Sequence, residues 1–143
     1  MRVLAPNLAA GNPVIAKHAS IVPHCAETFA HLVREAGAPE GAWTNLFISQ
    51  DQVAKIIADD RVQGAALTGS EKAGSVVAAQ AAKHIKKATL ELGGKSPAVM
   101  ARGAVNARNV KSVAFGKLSN AGQTCIAPDY LLVHQDDLAS FMA

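Results

Sequence analysis

The stretch NAGQTCIAP, residues 120–128, holds one of the two cysteines of this 143-residue chain. Cys125 follows a Gly-Gln-Thr run and precedes a proline, which interrupts regular structure. A cysteine thiolate is a useful nucleophile only where it is reachable and lies in a polar or electropositive environment. A loop with Thr124 beside the cysteine offers such an environment, so Cys125 is the first candidate for covalent chemistry.

The other cysteine, Cys25, lies among apolar residues at helical spacing, and we interpret it as a small, inert core residue. Neither cysteine has the His and Cys spacing of a zinc site, so we expect no metal centre. We also expect both thiols to stay reduced rather than form a disulfide.

Glu91 ends an apolar run and is followed closely by Gly93 and Gly94, where the backbone is free to turn. A carboxylate at this place does not serve a core. It is either a surface residue at the end of a strand or a group of a site, and the local pattern leaves both open.

Two strand-to-helix junctions add further candidates. Gly69, Ser70 and Gly74 lie where a helix begins, and the free N–H groups and dipole of a helix start suit a phosphate. The alternative is a plain helix start. Lys17 and Ser20 follow the first strand, at the edge where open parallel sheets bind ligands, and the alternative there is an exposed lysine with a helix N-cap.

Alternating strands and helices must position these residues. Short apolar or β-branched runs alternate with segments that are apolar at helical spacing. We predict strands at 14–16, 45–48, 64–68, 88–92, 96–101 and 130–133, with helices between them, one N-capped by Ser49 and one over 106–118. This alternation predicts an α/β fold with a parallel sheet, flanking helices and right-handed crossovers. The double glycine at 93–94 marks our candidate domain boundary.

Composition narrows the class of protein. Half of the residues are apolar and the net charge is only +3, which is typical of a globular chain that packs a core. With aromatic residues at 4%, few side chains can stack on bases, so we expect no nucleic-acid partner. Neither a signal-peptide core nor a run long enough to span a bilayer is evident, so we expect no membrane partner and a cytoplasmic location.

Four runs occur in one order along the chain: AAGNPVIAK (9–17), LTGS (67–70), LELGGKSP (90–97) and NAGQTC (120–125). In this order and separation they resemble the aldehyde dehydrogenase superfamily. The resemblance implies a Rossmann-like cofactor domain, of which 1–94 is the later part, running into the start of a second α/β domain, the catalytic one, at 95–143. The chain then matches the middle of the longer family members.

The resemblance also implies a chemistry for the candidate residues. Cys125 attacks an aldehyde carbonyl, the thiohemiacetal passes a hydride to NAD(P), and water hydrolyses the resulting thioester to a carboxylic acid. Glu91 is the general base that activates the water, and the backbone N–H of Cys125 is one oxyanion donor. The asparagine that supplies the second donor and the glutamate that holds the nicotinamide ribose lie outside this chain.

The cofactor residues that the resemblance implies are Lys17, Ser20, Gly69, Ser70, Gly74 and Leu92. Lys17 reaches the adenosine ribose, Ser70 meets the pyrophosphate, and the two glycines let the backbone approach closely. Ser20 stands where members that prefer NAD often carry a glutamate, which repels a 2′-phosphate. The neutral serine therefore favours NADP or dual use.

The sequence leaves the substrate open, which is either a semialdehyde or one of the aldehydes that broad-specificity members accept. Full-length members are expected to form homo-oligomers. The alternative function is a noncatalytic fragment that at most binds a nucleotide or associates with other chains.

Overall fold

A computed structural model describes residues 2–142 of the chain, in which helices and strands alternate. In chain order the elements are α1 (Leu4–Ala9), β1 (Val14–Lys17), α2 (Pro23–Glu35), β2 (Trp43–Leu46), α3 (Gln50–Ala58), β3 (Gly64–Thr68), α4 (Glu71–Lys83), β4 (Lys87–Glu91), β5 (Ser96–Met100), α5 (Ala107–Leu118), β6 (Pro128–Val133) and α6 (Leu138–Met142). Short 3-10 turns follow α5 and precede α6. The predicted α/β class is confirmed, with each predicted strand present and its bounds shifted by a few residues at most.

Each strand pairs with a neighbour in the chain. Within the described residues, the strands form three two-stranded sheets, β1 with β2, β3 with β4, and β5 with β6. The first pair is parallel, with Lys17 opposite Leu46, and the last pair is parallel, with Ala98 opposite Leu131. Parallel neighbours need a crossover connection, and α2 and α5 lie in the two crossovers.

The chain divides into two compact units. The first unit comprises Met1–Ala66 and Val76–Thr89, and the second comprises Leu67–Ser75 and Leu90–Ala143. The division passes through β3, α4 and β4, so the second unit contains the start of α4 as well as everything that follows the end of β4. The domain boundary that we placed after Gly94 stays a prediction.

Side-chain caps fix the starts of two helices. The Ser49 hydroxyl accepts the Gln52 N–H at 3.3 Å, while the Gln52 side chain accepts the Ser49 N–H at 2.8 Å. This reciprocal capping box confirms Ser49 as the predicted N-cap of α3. Asn106 caps α5 by accepting the Asn109 N–H at 3.0 Å, which fixes the helix that leads into the Cys125 loop.

Polar contacts stabilise the end of α3 in the first unit. The Lys86 ammonium donates to the Ile57 carbonyl at 2.7 Å and also to the Asp59 carbonyl, where a cation complements the helix dipole. The Arg61 guanidinium donates to the Asp59 carboxylate at 2.7 and 2.9 Å, and these hydrogen bonds hold the pKa of that carboxyl well below its usual range. Charged hydrogen bonds from Lys86 and Arg61 therefore stabilise the turn that leads into β3.

The apolar core of the described residues is small. Its buried members are Leu4, Ala30, Ile57, Ala81, Met100 and Ala127. Many larger apolar side chains are exposed instead, among them Pro97 and Val99 on β5, which lie opposite Tyr130 and Leu132 of β6. No helix among residues 2–142 has the length and hydrophobicity needed to cross a membrane.

Candidate functional site

Cys125 is exposed in the loop between α5 and β6, and backbone hydrogen bonds hold this loop. Before the cysteine, the Gln123 N–H donates to the Asn120 carbonyl at 3.0 Å, and the Asn120 side-chain amide donates to the Gln123 carbonyl at 3.1 Å. After it, the Ala127 N–H donates to the Thr124 carbonyl at 3.0 Å. The thiol thus lies on a reachable loop whose course is fixed on both sides.

The chain reaches this loop through a left-handed turn. Asn120, Ala121 and Gly122 have φ values of 52°, 54° and 75°. Gly adopts such a conformation readily and Asn tolerates it, but Ala carries a Cβ that the left-handed region disfavours. Backbone strain of this kind occurs often at functional sites, where the surrounding structure holds a residue in an unfavourable conformation.

Replacing Ala121 with glycine is expected to stabilise the chain, since glycine removes the Cβ penalty at φ 54°. The gain in the free energy of unfolding is expected to be roughly 1 kcal/mol, measured by urea denaturation. The matched control is Ala114→Gly within α5, where glycine weakens a helix, so the sign is expected to reverse. Equal losses for both variants would show that Ala121 is not strained.

Within the second unit, the loop between β4 and β5 lies against the cysteine loop. A Cβ built on Gly94 would lie 2.8 Å from the Cys125 carbonyl oxygen. Glu91, half-buried, is the last residue of β4, and its carbonyl accepts the Gly69 N–H at 3.0 Å. The segment from Glu91 to Gly94 therefore adjoins Gly69 at one end and the Cys125 loop at the other. Our sequence analysis did not assign Gly94 a role, although the double glycine marked the place.

The start of α4 is a capped helix end in the same unit. The Ser70 hydroxyl accepts the Ala73 N–H at 3.2 Å, as a helix N-cap does. Gly74 is buried beneath Leu92, since a Cβ on Gly74 would lie 2.7 Å from a Leu92 methyl carbon. Around Gly69 a Cβ would meet only the Leu67 side chain, at 3.9 Å. A side chain at position 74 would thus require the Leu92 side chain to move, whereas position 69 meets no such close contact.

Lys17 and Ser20 belong to the first unit. Lys17 ends β1 and is exposed, and Ser20 is exposed in the loop that follows. The residue at the N-cap position of α2 is Val22, so the alternative reading of Ser20 as a helix N-cap is wrong. Pro23, which occupies the first turn of α2, starts the helix beyond Ser20.

The interpretation of Cys25 as a core residue is also wrong, because the side chain is exposed. The inward stripe of α2 runs through Ala26, Phe29, Ala30 and Val33, and Cys25 lies one position before it, on the outer side. Across residues 2–142, no three His, Cys, Asp or Glu side chains gather where they could hold a metal ion.

Comparison with known proteins gives the family. The model of the aldehyde dehydrogenase family matches residues 1–143. The chain belongs to this family.

Two relatives above 40% identity are named for the same aldehyde. The chain is 43% identical over 143 residues to a succinate-semialdehyde dehydrogenase [NADP(+)] of Deinococcus radiodurans, covering all of this chain and 30% of that protein. It is 41% identical over 142 residues to succinate-semialdehyde dehydrogenase [NADP(+)] 1 of Mycobacterium tuberculosis, covering 99% of this chain and 31% of the relative. The chain therefore spans about a third of the length of these relatives.

Solved structures share the fold at high identity. A chain from a study of cofactor and substrate selection by Gox0499 superposes with a TM-score of 0.94 at 48% identity, covering 99% of this chain and 31% of that one. The succinic semialdehyde dehydrogenase of Streptococcus pyogenes, solved in complex with NADP+, gives a TM-score of 0.90 at 46% identity, with 98% and 31% covered.

Proposed function

We propose that the chain carries the reacting residues of an aldehyde dehydrogenase that oxidises a semialdehyde, of the succinate semialdehyde type, to a carboxylic acid with NADP as hydride acceptor. Membership of the family and the names of the relatives support the reaction and the substrate class. Cys125 and Glu91 are the two residues to which we assign the chemistry.

One observation carries the proposal. The 2.8 Å approach between a Cβ position on Gly94 and the Cys125 carbonyl puts the segment that follows Glu91 against the cysteine loop. A nucleophile and a general base must act on the same carbonyl group, so their side chains must reach a common point, and this proximity of the two segments is compatible with that. Cys125 is exposed and Glu91 is half-buried, which suits a reachable thiol and a carboxylate partly withdrawn from solvent.

The proposed cofactor residues have chemistry that fits NADP. The exposed Lys17 ammonium and the neutral Ser20 hydroxyl are groups that accept a 2′-phosphate, whereas a carboxylate at position 20 would repel it. The start of α4 at Ser70 supplies first-turn N–H groups, which in any α-helix lack intrahelical acceptors and suit a pyrophosphate. When bound, the cofactor takes up a hydride from the substrate.

The residues of the chain then perform the remaining steps. The Cys125 thiolate adds to the aldehyde carbonyl carbon, and the oxyanion that forms is stabilised by the backbone N–H of Cys125. Loss of hydride from that carbon leaves a thioester on Cys125. Glu91 takes a proton from water as the water attacks the thioester, and the carbon–sulfur bond breaks to release the acid and restore the thiolate.

The direct test is NADPH formation by the purified chain with succinate semialdehyde, compared with NAD and with an aliphatic and an aromatic aldehyde. Turnover with NADP and the semialdehyde at the highest kcat/KM would support the proposal. A folded chain that reduces the cofactor with none of these aldehydes would refute a catalytic role for the chain alone.

Changing Ser20 to glutamate is expected to shift cofactor preference from NADP toward NAD. The new carboxylate repels a 2′-phosphate and accepts a hydrogen bond from a 2′-hydroxyl, so the ratio of the two Kd values should change by about tenfold. Equilibrium titration of the chain with each cofactor measures this ratio without requiring turnover. The control is Ser20→Gln, because glutamine has the size of glutamate without its charge. An unchanged ratio in Ser20→Glu would remove Ser20 from the cofactor site.

A second candidate function is favoured by the exposed apolar side chains of β5 and β6. Val99 and Leu132 are 72% and 53% exposed and lie opposite each other in the parallel pair. A chain with such a face can act as a noncatalytic piece that associates with other chains. Sedimentation velocity over a range of concentrations distinguishes the two: association without turnover supports this candidate, and turnover by a monomer excludes it.

A further inference from the structure

We propose that Gly94 is a positioning residue for the nucleophile, because only a residue without a side chain lets the loop between β4 and β5 lie against the Cys125 peptide. This inference rests on the proposed function in that it takes Cys125 as the nucleophile. It goes beyond that function by assigning the position of the thiol and of the Cys125 N–H to a residue that takes no part in the chemistry.

The geometry explains why glycine is required here. A Cβ on Gly94 would lie 2.8 Å from the Cys125 carbonyl oxygen and 4.0 Å from its carbonyl carbon. Both atoms belong to the backbone, so no side-chain rotation relieves the contact. Gly94 is not among the glycines with positive φ, so its backbone conformation is open to other residues and the requirement is one of space alone.

The neighbouring glycines differ in this respect. A Cβ on Gly93 would meet nothing within 4 Å, and its φ is not positive either. A Cβ on Gly74 would meet a Leu92 methyl carbon, which is the end of a flexible side chain. Among these three glycines, only Gly94 would press a side chain against the backbone of the cysteine loop.

The Cys125 peptide cannot retreat freely from such a side chain. The left-handed turn from Asn120 fixes the loop before the cysteine, and the Ala127 N–H, bonded to the Thr124 carbonyl at 3.0 Å, fixes it after. A methyl group at position 94 must therefore displace the Cys125 backbone or the loop between β4 and β5. Displacements of roughly 0.5 Å are the limit that a catalytic arrangement tolerates.

The experiment compares Gly94→Ala with Gly93→Ala in the 143-residue chain. Both exposed thiols are alkylated with iodoacetamide across neutral to alkaline pH, and peptide mass spectrometry gives the rate at Cys125 and, as an internal reference, at Cys25. Gly94→Ala is expected to lower the Cys125 to Cys25 rate ratio by about tenfold and to shift its pH profile, since alkylation depends on the thiolate character and access of the thiol, which change when its backbone moves. Gly93→Ala is expected to keep both at wild-type values.

A merely structural role for Gly94 has a different result. In that case Gly94→Ala would lower the free energy of unfolding and leave the rate ratio and the pH profile of the folded chain unchanged. Either that outcome or a raised ratio overturns the proposal. If Gly94→Ala does not fold, nuclear Overhauser contacts are measured in the labelled wild-type chain. Contact between the Gly94 Hα protons and the backbone protons of Cys125 or Ile126 supports the proposal, and its absence overturns it.

The readouts separate this inference from the proposed function. A wild-type chain that oxidises the semialdehyde while Gly94→Ala keeps the wild-type rate ratio refutes the inference alone. A chain that forms no NADPH while Gly94→Ala still lowers the ratio refutes the proposed function alone, because thiol alkylation requires neither cofactor nor aldehyde.

Discussion

Replacement of Cys125 by alanine is expected to abolish aldehyde-dependent NADPH formation. The proposed mechanism has no route to hydride loss without the covalent thiohemiacetal, so the rate is expected to fall by roughly four orders of magnitude or more. NADPH absorbance with succinate semialdehyde as substrate measures the rate, and intact mass spectrometry of the chain detects the covalent intermediate. The wild-type chain is expected to gain the mass of a succinyl thioester when stopped during turnover, and the variant is expected to gain none.

Cys25→Ala is the matched control for this prediction. Both thiols are exposed, so a reagent or substrate that reacts with any accessible cysteine would modify both. We expect Cys25→Ala to keep the wild-type rate and the thioester on Cys125. Retained turnover in Cys125→Ala, or a thioester carried by Cys25, would show that Cys125 is not the nucleophile.

The order of helices and strands was predictable from the sequence because apolar spacing changes with each element. One helix was omitted, since no element was predicted before the first strand. In the structure α1 spans Leu4–Ala9, and Pro6 lies in its first turn. A proline in the first turn loses no hydrogen bond, because the N–H groups there have no intrahelical acceptor.

The candidate site was predictable only in part. Motif order pointed to Cys125, but nothing in its local residues revealed the left-handed turn at Asn120 and Ala121, since alanine does not favour that conformation. The role of Gly94 was equally hidden, because its requirement for glycine arises from the Cys125 carbonyl, 31 positions away in the sequence. Contacts of this kind follow from tertiary packing and not from spacing along the chain.

The left-handed turn and Gly94, neither of which was predicted, both constrain the loop that carries Cys125. The left-handed turn sets the direction in which the chain leaves α5, and Gly94 sets how closely the Cys125 peptide lies to the loop between β4 and β5. Neither residue type carries chemistry. Together they fix the backbone on which the exposed thiol is carried, and the proposed mechanism depends on that position.

Glu91→Gln is expected to separate the two halves of the reaction. Glutamine keeps the size and polarity of the side chain but cannot take a proton from water, so the thioester on Cys125 forms and then persists. We expect a burst of NADPH close to one equivalent per chain, followed by a steady-state rate lowered by about 10²- to 10⁴-fold, the range for loss of a general base. Rapid-mixing absorbance measures both phases, and intact mass spectrometry of the quenched chain detects the succinyl group.

The control for Glu91→Gln is Glu35→Gln, which removes an exposed carboxylate from the end of α2. It is expected to leave burst and steady state unchanged. The pattern of burst and steady state identifies the step in which Glu91 acts. Loss of the burst would indicate that Glu91 activates the Cys125 thiol. An unchanged steady-state rate would contradict its role as a base. A persistent burst with slow turnover assigns Glu91 to hydrolysis, because only removal of a proton from water then limits release of the acid.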